Sequence, residues 1–298
     1  MKMRSAIFFA LLAAALYALN APLAKLLLAD VAPSMMAALL YLGAGAGMLL
    51  LGLARRRTGR SSQEETIGSL FQRDLLPFTL GMILLDIAAP ILLMMGIRLT
   101  SPESASLLNN FEIVATSLIA LLLFRERISP RLWTAIGLIV VASTLLSLQS
   151  GAELRLSAGS LLVILASSCW GLENNCTRRL SSADPLKVVI VKGLGSGTGA
   201  LLVALLTGEA FPAWQHVPAA LLLGFVAYGL SIFFYVHAQR HLGAAKTSAY
   251  YAVAPFIGVA LSLLIFREMP GKSFFLALAV MIAATFLVTA DGFAADNT

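Results

Sequence analysis

With 298 residues, 59% of them apolar and only 12% charged, the chain departs from a soluble domain, in which those shares run roughly 45–50% and about 25%. Ten membrane spans of about 20 residues each would take up about two thirds of it, which leaves no room for a sizeable soluble domain. The net charge of +6 does not point to nucleic acid, because Lys and Arg stand in short clusters between apolar runs, as topology signals do.

The apolar run behind Lys2 and Arg4 continues from Ser5 to about residue 28. It outlasts the roughly 7–15-residue core of a cleavable signal peptide and is predicted to be the first span. Further spans are predicted over about 33–53, 75–97, 103–124, 130–149, 158–179, 186–207, 216–238, 246–266 and 271–290. Pro22, Pro90 and Pro255 fall in spans one, three and nine. Each lacks the N–H that would bond the carbonyl four residues back, which belongs to Ala18, Asp86 and Tyr251 respectively.

Asp86 in span three and Glu112 in span four are placed near the bilayer midplane, with no obvious basic partner at that depth. An ionisable side chain inside a membrane costs roughly 2.5–3.5 kcal/mol on insertion scales, so each is a functional candidate by default. Asn109, Glu112 and Thr116 follow helical spacing and form one polar stripe. In span six, Trp170, Glu173 and Asn174 precede the turn near Ser182, and Lys192 follows it at a similar depth in span seven. Two readings stand for Glu173 and Lys192: a structural ion pair between neighbouring helices, or a snorkelling lysine that leaves Glu173 facing a cavity.

Cys169 and Cys176 are seven residues apart on one helix, about 10 Å along its axis, too far to bridge each other. Gly43 with Gly47 and Gly193 with Gly197 have the small-xxx-small spacing that lets helices approach closely. Tyr228, Tyr250, Tyr251 and Trp170 offer aromatic walls. His237 and His241 are four residues apart beside Arg240 with no third ligand in view, so no metal site is assigned. No nucleophile-base pair, phosphate loop or zinc motif stands out either.

Self-comparison reveals a duplication. Phe124-Arg125-Glu126 recurs as Phe266-Arg267-Glu268, and the same offset pairs Arg98 with Arg240 and Ser106 with Ser248. Upstream, a ten-residue larger offset pairs Pro33 with Pro185 and lays Gly43, Gly45 and Gly47 on Gly195, Gly197 and Gly199. The Phe-Arg-Glu ends read as helix caps at span junctions. Five spans per copy is an odd number, so the second copy enters the membrane from the opposite side, as in many secondary transporters. Under these offsets, with one residue more in span six, Asn20 corresponds to Glu173, Asp86 to Tyr228, Asn109 to Tyr251 and Glu112 to Ala254. The acids occur in one copy only, as cargo chemistry needs and symmetric architecture does not.

The paired Phe-Arg-Glu helix ends, Trp170-Gly171 in span six and the Asp184-Pro185 turn resemble the drug/metabolite transporter superfamily, specifically its EamA-type ten-span exporters, over nearly the whole chain. The resemblance implies an all-α polytopic fold of ten transmembrane helices as an inverted 5+5 repeat. It also implies transport of a small molecule through a central cavity lined mainly by spans one, three, four, six, eight and nine. Residues 1–149 and 150–298 are the expected five-helix repeats.

The expected function is that of a secondary transporter, not an enzyme, exporting small polar or zwitterionic metabolites such as amino acids by alternating access. Import, or uncoupled facilitation, is the alternative within transport. A lipid-modifying enzyme would need convergent acids or a nucleophile with its base at the membrane surface, and a scaffold would need more than the 21-residue linker from Ala54 to Asp74. Glu112 and Asp86 are the candidates for proton coupling. Asn20, Asn109 and Asn174 are expected to orient polar groups of the cargo, Glu173 to bind it, and Trp170, Tyr228 and Tyr251 to wall it in. The expected partners are the cargo and the lipid bilayer, with no nucleic acid and no cofactor, for a monomer or homodimer.

With the N-terminus inside, fifteen Lys and Arg lie at inner loops and span ends and five at outer ones, Lys192 being set aside as intramembrane. The bias places both termini in the cytoplasm of an inner membrane. Cysteines introduced at Ser62 and Asn297 are expected to resist an impermeant thiol reagent in intact cells and to react after lysis. Labelling of both from outside would reverse the orientation.

Overall fold

The structure, a computed structural model, describes residues 3–57, 67–124, 129–147, 157–180, 183–242, 247 and 250–295. Among these it is helical, with no strand. The first span is split into α1 (Met3–Ala18) and α2 (Asn20–Leu27), and α3 (Pro33–Arg57) and α4 (Leu76–Leu99) are spans two and three. Span four is split into α5 (Pro102–Leu108) and α6 (Phe111–Phe124). Spans five to seven are α7 (Pro130–Ser147), α8 (Ala158–Arg179) and α9 (Pro185–Leu206). Span eight comprises α10 (His216–Gly224), a π-helical turn over Phe225–Leu230 and α11 (Ser231–Leu242), and α12 (Ala254–Phe266) and α13 (Lys272–Ala295) complete spans nine and ten.

Five of these helical stretches, including Arg4–Leu27, Leu76–Leu99 and His216–Ala238, are by length and composition able to cross a membrane, and α7, α12 and part of α13 are shorter apolar helices. Phe8, Leu50, Leu84, Leu122, Leu206 and Phe286 lie exposed on the outside of the bundle, the arrangement a lipid solvent requires.

Packing repeats the duplication. Span two lies along span seven, span four on span nine, and span five on span ten, so these contacts join equivalent elements. The remaining major contacts come in matched sets: span three on six with span eight on one, span four on six with span nine on one, and span two on eight with span seven on three. Exchanging the two halves therefore maps these major contacts onto one another, as expected of an inverted repeat.

The glycines make the central crossing possible. A Cβ on Gly45 would fall 2.6 Å from the Leu194 nitrogen and 2.8 Å from the Gly193 carbonyl carbon, and one on Gly197 would fall 2.6 Å from the Leu42 nitrogen. Backbone thus lies on backbone where α3 meets α9, which only residues without a side chain permit.

Three spans break inside the bundle. The break at Leu19 comes just before Pro22, and the break at Ala252 and Val253 just before Pro255. Proline in a first turn is tolerated because its missing N–H has no intrahelical role there. Span four breaks at Asn109 and Asn110 without a proline, at the place that the repeat offset equates, within one residue, with the break in span nine. Pro90 leaves α4 continuous. Spans one, four and nine, expected as single helices, are therefore discontinuous. Arg267 ends α12 in the left-handed conformation with its N–H on the Leu263 carbonyl, 3.0 Å away, whereas Arg125 and Glu126 lie outside the described residues.

Ordered contacts also fasten one end of the bundle. The Lys25 ammonium donates to the carbonyls of Ile97, Thr100 and Arg98 at 2.6, 2.8 and 3.1 Å, at the last turn and C-cap of α4. At the start of α3, the Ser34 and Met35 N–H groups donate to the Glu209 carboxylate at 3.2 and 2.8 Å, so an acid sits at the positive helix end.

Gly45→Ile is expected to force α3 and α9 apart and to cost about 1–3 kcal/mol or more. Gly137→Ala, which meets no neighbour within 4 Å, is expected to be neutral or to gain about 0.5–1 kcal/mol from helix propensity. Unfolding midpoints of both purified variants check the contrast.

Candidate functional site

Lys192 has little choice of partner. Its aliphatic stem is buried in α9, and its ammonium lies 3.0 Å from Asp86 Oδ2 on α4 and 3.1 Å from Glu173 Oε2 on α8. Asp86 is 0% and Glu173 1% exposed. The expected pairing of Glu173 with Lys192 is present, and the expectation that Asp86 lacks a basic partner is corrected. The reason lies in the packing: span three lies against both six and seven, so the lysine reaches both acids across it.

Other donors complete the cluster. Asp86 Oδ1 accepts from the Tyr41 hydroxyl at 3.0 Å and from Trp170 Nε1 at 3.1 Å. Glu173 accepts from the Thr177 hydroxyl one turn later. Two carboxylates and one ammonium leave a formal charge of −1, and the neutral donors spread part of it.

Glu112, at the start of α6, accepts from the Asn174 amide at 2.6 Å, and the same amide lies 3.5 Å from Thr116 Oγ1. Spans four and six touch closely here, because a Cβ on Gly171 would meet the Thr116 nitrogen at 2.7 Å. The Asn175 amide donates to the Gly171 carbonyl of its own helix at 2.8 Å and to the Thr116 carbonyl of span four at 3.4 Å. Among the described residues Glu112 makes no ion pair.

A third group surrounds the helix breaks. The Asn20 amide donates to the Tyr228 hydroxyl at 3.0 Å, and Tyr228 rides on the π-helical turn of span eight, a feature that often marks a functional position. The Tyr41 ring lies 5.1 Å from that of Tyr228, and so links this group to the ionic cluster. Tyr17 lies 6.0 Å from both Tyr228 and Tyr251. The Tyr251 hydroxyl is 3.4 Å from Ser231 Oγ. Tyr250, expected as a further wall, packs instead beside Ala6, Ala10 and Ala238. His237 lies between the rings of Phe9 and Phe233, and the side chain of His241 lies outside the described residues.

Between the broken ends of spans one, four and nine lies a cavity of ≈ 10 Å³, lined by Tyr17, Ala18, Asn20, Ala21, Ser106, Asn109, Ala254, Pro255 and Gly258. Asn20 Oδ1 and Asn109 Oδ1 are buried and accept no hydrogen bond.

The residues singled out from sequence thus meet in sets: Asp86 with Trp170 and Glu173, Glu112 with Asn174, Asn20 with Tyr228, and Asn109 with Asn20 around the cavity. Tyr17, Tyr41, Ser106 and Thr177 were not singled out as site residues. One signal for the ionic cluster lies in the offsets. Asn20 touches Tyr228, and their counterparts in the other half are Glu173 and Asp86, which Lys192 joins.

Residues 4–148 and 157–290 each match the EamA-like transporter family. An "Uncharacterized transporter" of Methanothermobacter thermautotrophicus is 24% identical over 265 residues, which cover 85% of this chain and 76% of that protein. The "Uncharacterized transporter YyaM" of Bacillus subtilis is 22% identical over 182 residues, 57% of this chain and 59% of its own length. The "Uncharacterized inner membrane transporter YedA" of Escherichia coli is 24% identical over 158 residues, 52% of either chain. A solved structure described only as "Crystal structure of protein" superposes with a TM-score of 0.69 over 97% of both chains at 20% identity, a likeness of fold.

Lys192→Met leaves two buried carboxylates without their counter-charge and is expected to cost about 3–5 kcal/mol. Adding Asp86→Asn and Glu173→Gln is expected to restore a large part of that loss. A thermodynamic cycle on the purified protein checks this, and strictly additive effects would show that the three charges do not interact.

Proposed function

The chain belongs to the EamA-like transporter family and is a multi-pass membrane transporter, and from that premise we propose that it exports small polar or zwitterionic metabolites, amino acids among them. The two halves, residues 1–149 and 150–298, would alternate the exposure of a site between them, with both termini on the cytoplasmic face of an inner membrane. The observation that carries this reading is the meeting of charged, amide and phenolic side chains from both halves in the interior of an otherwise apolar bundle. Such groups are expensive in a bilayer and persist where they serve a polar passenger or an ion.

The chemistry suits a zwitterion. Asp86 and Glu173 supply acceptors for an ammonium group, Lys192 is a donor for a carboxylate, and Asn20, Asn109 and Asn174 can orient neutral polar groups. Trp170, Tyr228 and Tyr251 offer flat faces to a carbon skeleton. A cargo that inserts between Lys192 and the acids replaces each interaction it breaks, so entry need not leave a bare charge.

Coupling falls to Glu112 first. It has an amide partner in Asn174 and no ion pair among the described residues, so its charge is not already compensated. A carboxyl that binds a proton on one side and cargo-linked on the other transmits a pH gradient to the cargo, provided that the two affinities are linked. Asp86 is the second coupling group, freed when cargo engages Lys192. The Asn174 amide can hold Glu112 in either protonation state, because an amide both donates and accepts.

In proteoliposomes with an identified substrate, Glu112→Gln is expected to reduce flux driven by a pH gradient by at least about tenfold, while exchange of labelled for unlabelled cargo continues. Undiminished pH-driven flux in this variant would remove Glu112 from coupling.

A further inference from the structure

Spans one, four and nine all lose helical continuity at one depth, and the three gaps open onto one cavity. Its polar lining comprises the Tyr17 hydroxyl, the Asn20 and Asn109 amides, Ser106 and backbone, and two of its acceptors lack a donor among the described residues. Asn20 Oδ1 and Asn109 Oδ1 are buried with no donor in reach, and Asn20 as a whole is 1% exposed. Its own amide nitrogen donates to the Tyr228 hydroxyl at 3.0 Å.

Ser106 has only acceptor capacity left. Its single hydroxyl proton is directed to the Pro102 carbonyl at 2.8 Å, which leaves the oxygen lone pairs free. The Ala18 carbonyl is a fourth acceptor, since the residue four places on is Pro22, which has no N–H. Ser106 Oγ and the Ala18 oxygen lie 2.8 and 3.4 Å from the single point where a Cβ on Gly258 would stand. The absent side chain of Gly258 is therefore what keeps this space open.

A water molecule has two hydrogens and cannot satisfy four acceptors. A cation can serve all of them at once, and broken helices at membrane depth present oxygens in this way. The space, ≈ 10 Å³ and open to one side, admits one water-sized body or the charged head of a larger one. Among the described residues no carboxylate lines the cavity, which argues against calcium or magnesium, and no imidazole or thiolate does, which argues against transition metals. The formal −1 of the Asp86–Lys192–Glu173 cluster, reached through Tyr41 and Tyr228, favours positive charge nearby.

The geometry points to a binding site for one small monovalent cation in this cavity, held by Asn20 Oδ1, Asn109 Oδ1, Ser106 Oγ and the Ala18 carbonyl. Two sources share that chemistry: a free ion of sodium size, or the ammonium head of a cargo. Either would tie spans one, four and nine together while bound, so occupancy would favour the arrangement in which the three breaks face one another.

The test uses the purified full-length protein in detergent, with thermal unfolding followed in choline chloride as sodium, potassium, ammonium or methylammonium chloride replaces it at constant ionic strength. A saturable rise in the unfolding midpoint is expected for at least one of these cations, since a ligand that binds only the folded state stabilises it. Saturation by sodium and not by methylammonium assigns the site to a free ion, and the reverse assigns it to a cargo ammonium. Ser106→Ala keeps the helix, because the lost hydroxyl only bonds back to its own backbone, and is expected to raise the half-saturating concentration at least about tenfold, which equals the 1.4 kcal/mol of one weakened ligand. Gly258→Ala fills the space and is expected to abolish the response, and Asn109→Ala gives a second reading if that variant does not fold. A response no different from choline, or one unchanged in Ser106→Ala and Asn109→Ala, means that the cavity holds only water and overturns the site. Transport by the same preparation is scored separately, so loss of the cation response with transport intact leaves the transporter reading standing.

Discussion

A lysine ammonium buried inside an apolar helical bundle has little water to turn to, and in this chain it is held by two carboxylates at 3.0 and 3.1 Å. Each carboxylate comes from a different helix, so meeting the charge fixes how three spans stand relative to one another. Tyr41 adds a fourth helix through its bond to Asp86. Much of what surrounds the site follows from this one requirement. Trp170 must turn its ring nitrogen inward, and span three must lie between six and seven. Apolar replacements of equal volume would pack as well or better, which is why the expense of the cluster argues for use and not for stability.

The glycines perform the complementary task. Where the charges draw helices of the two halves together, the missing side chains of Gly45, Gly193 and Gly197 let α3 and α9 meet backbone to backbone. A contact of that closeness has no freedom to spread, whereas the broken spans one, four and nine carry their polar groups on short helical segments whose relative angle is set at a turn. The bundle thus combines a close crossing with interrupted walls, an arrangement that the proposed rocking of one repeat against the other would use.

Much of this was legible in the sequence, for identifiable reasons. Apolar length, Pro22 and Pro255, the glycine spacing and the offsets between the copies are all local signals, and each has a counterpart in the structure. The break at Asn109 and Asn110 was not, because no proline marks it and Asn109, at helical spacing from Glu112 and Thr116, reads as part of one continuous polar stripe. Nor was the second partner of Lys192 visible. Neighbourhood had been inferred from the short turn between spans six and seven, yet those two helices are not packed along their length and meet through span three. Tyr41 escaped for a similar reason, since one tyrosine in an apolar helix has no local signature of what it will touch. The repeat offsets carry further information: pairing Asn20 and Tyr228 with Glu173 and Asp86 identifies two equivalent contacts, and knowing either predicts the other.

That pairing also bears on energetics across the membrane. A rocker made of two identical inverted halves would have the same free energy whichever way it faced, because turning it over would reproduce it. Here one half meets the other through a neutral amide–phenol bond and the equivalent contact is made of three formal charges. The two orientations are then not mirror states, and no symmetry holds them level. If the halves alternate as proposed, an empty carrier of this kind would rest preferentially toward one side, and the work of returning it from the other would be set by its own interior before any gradient is applied.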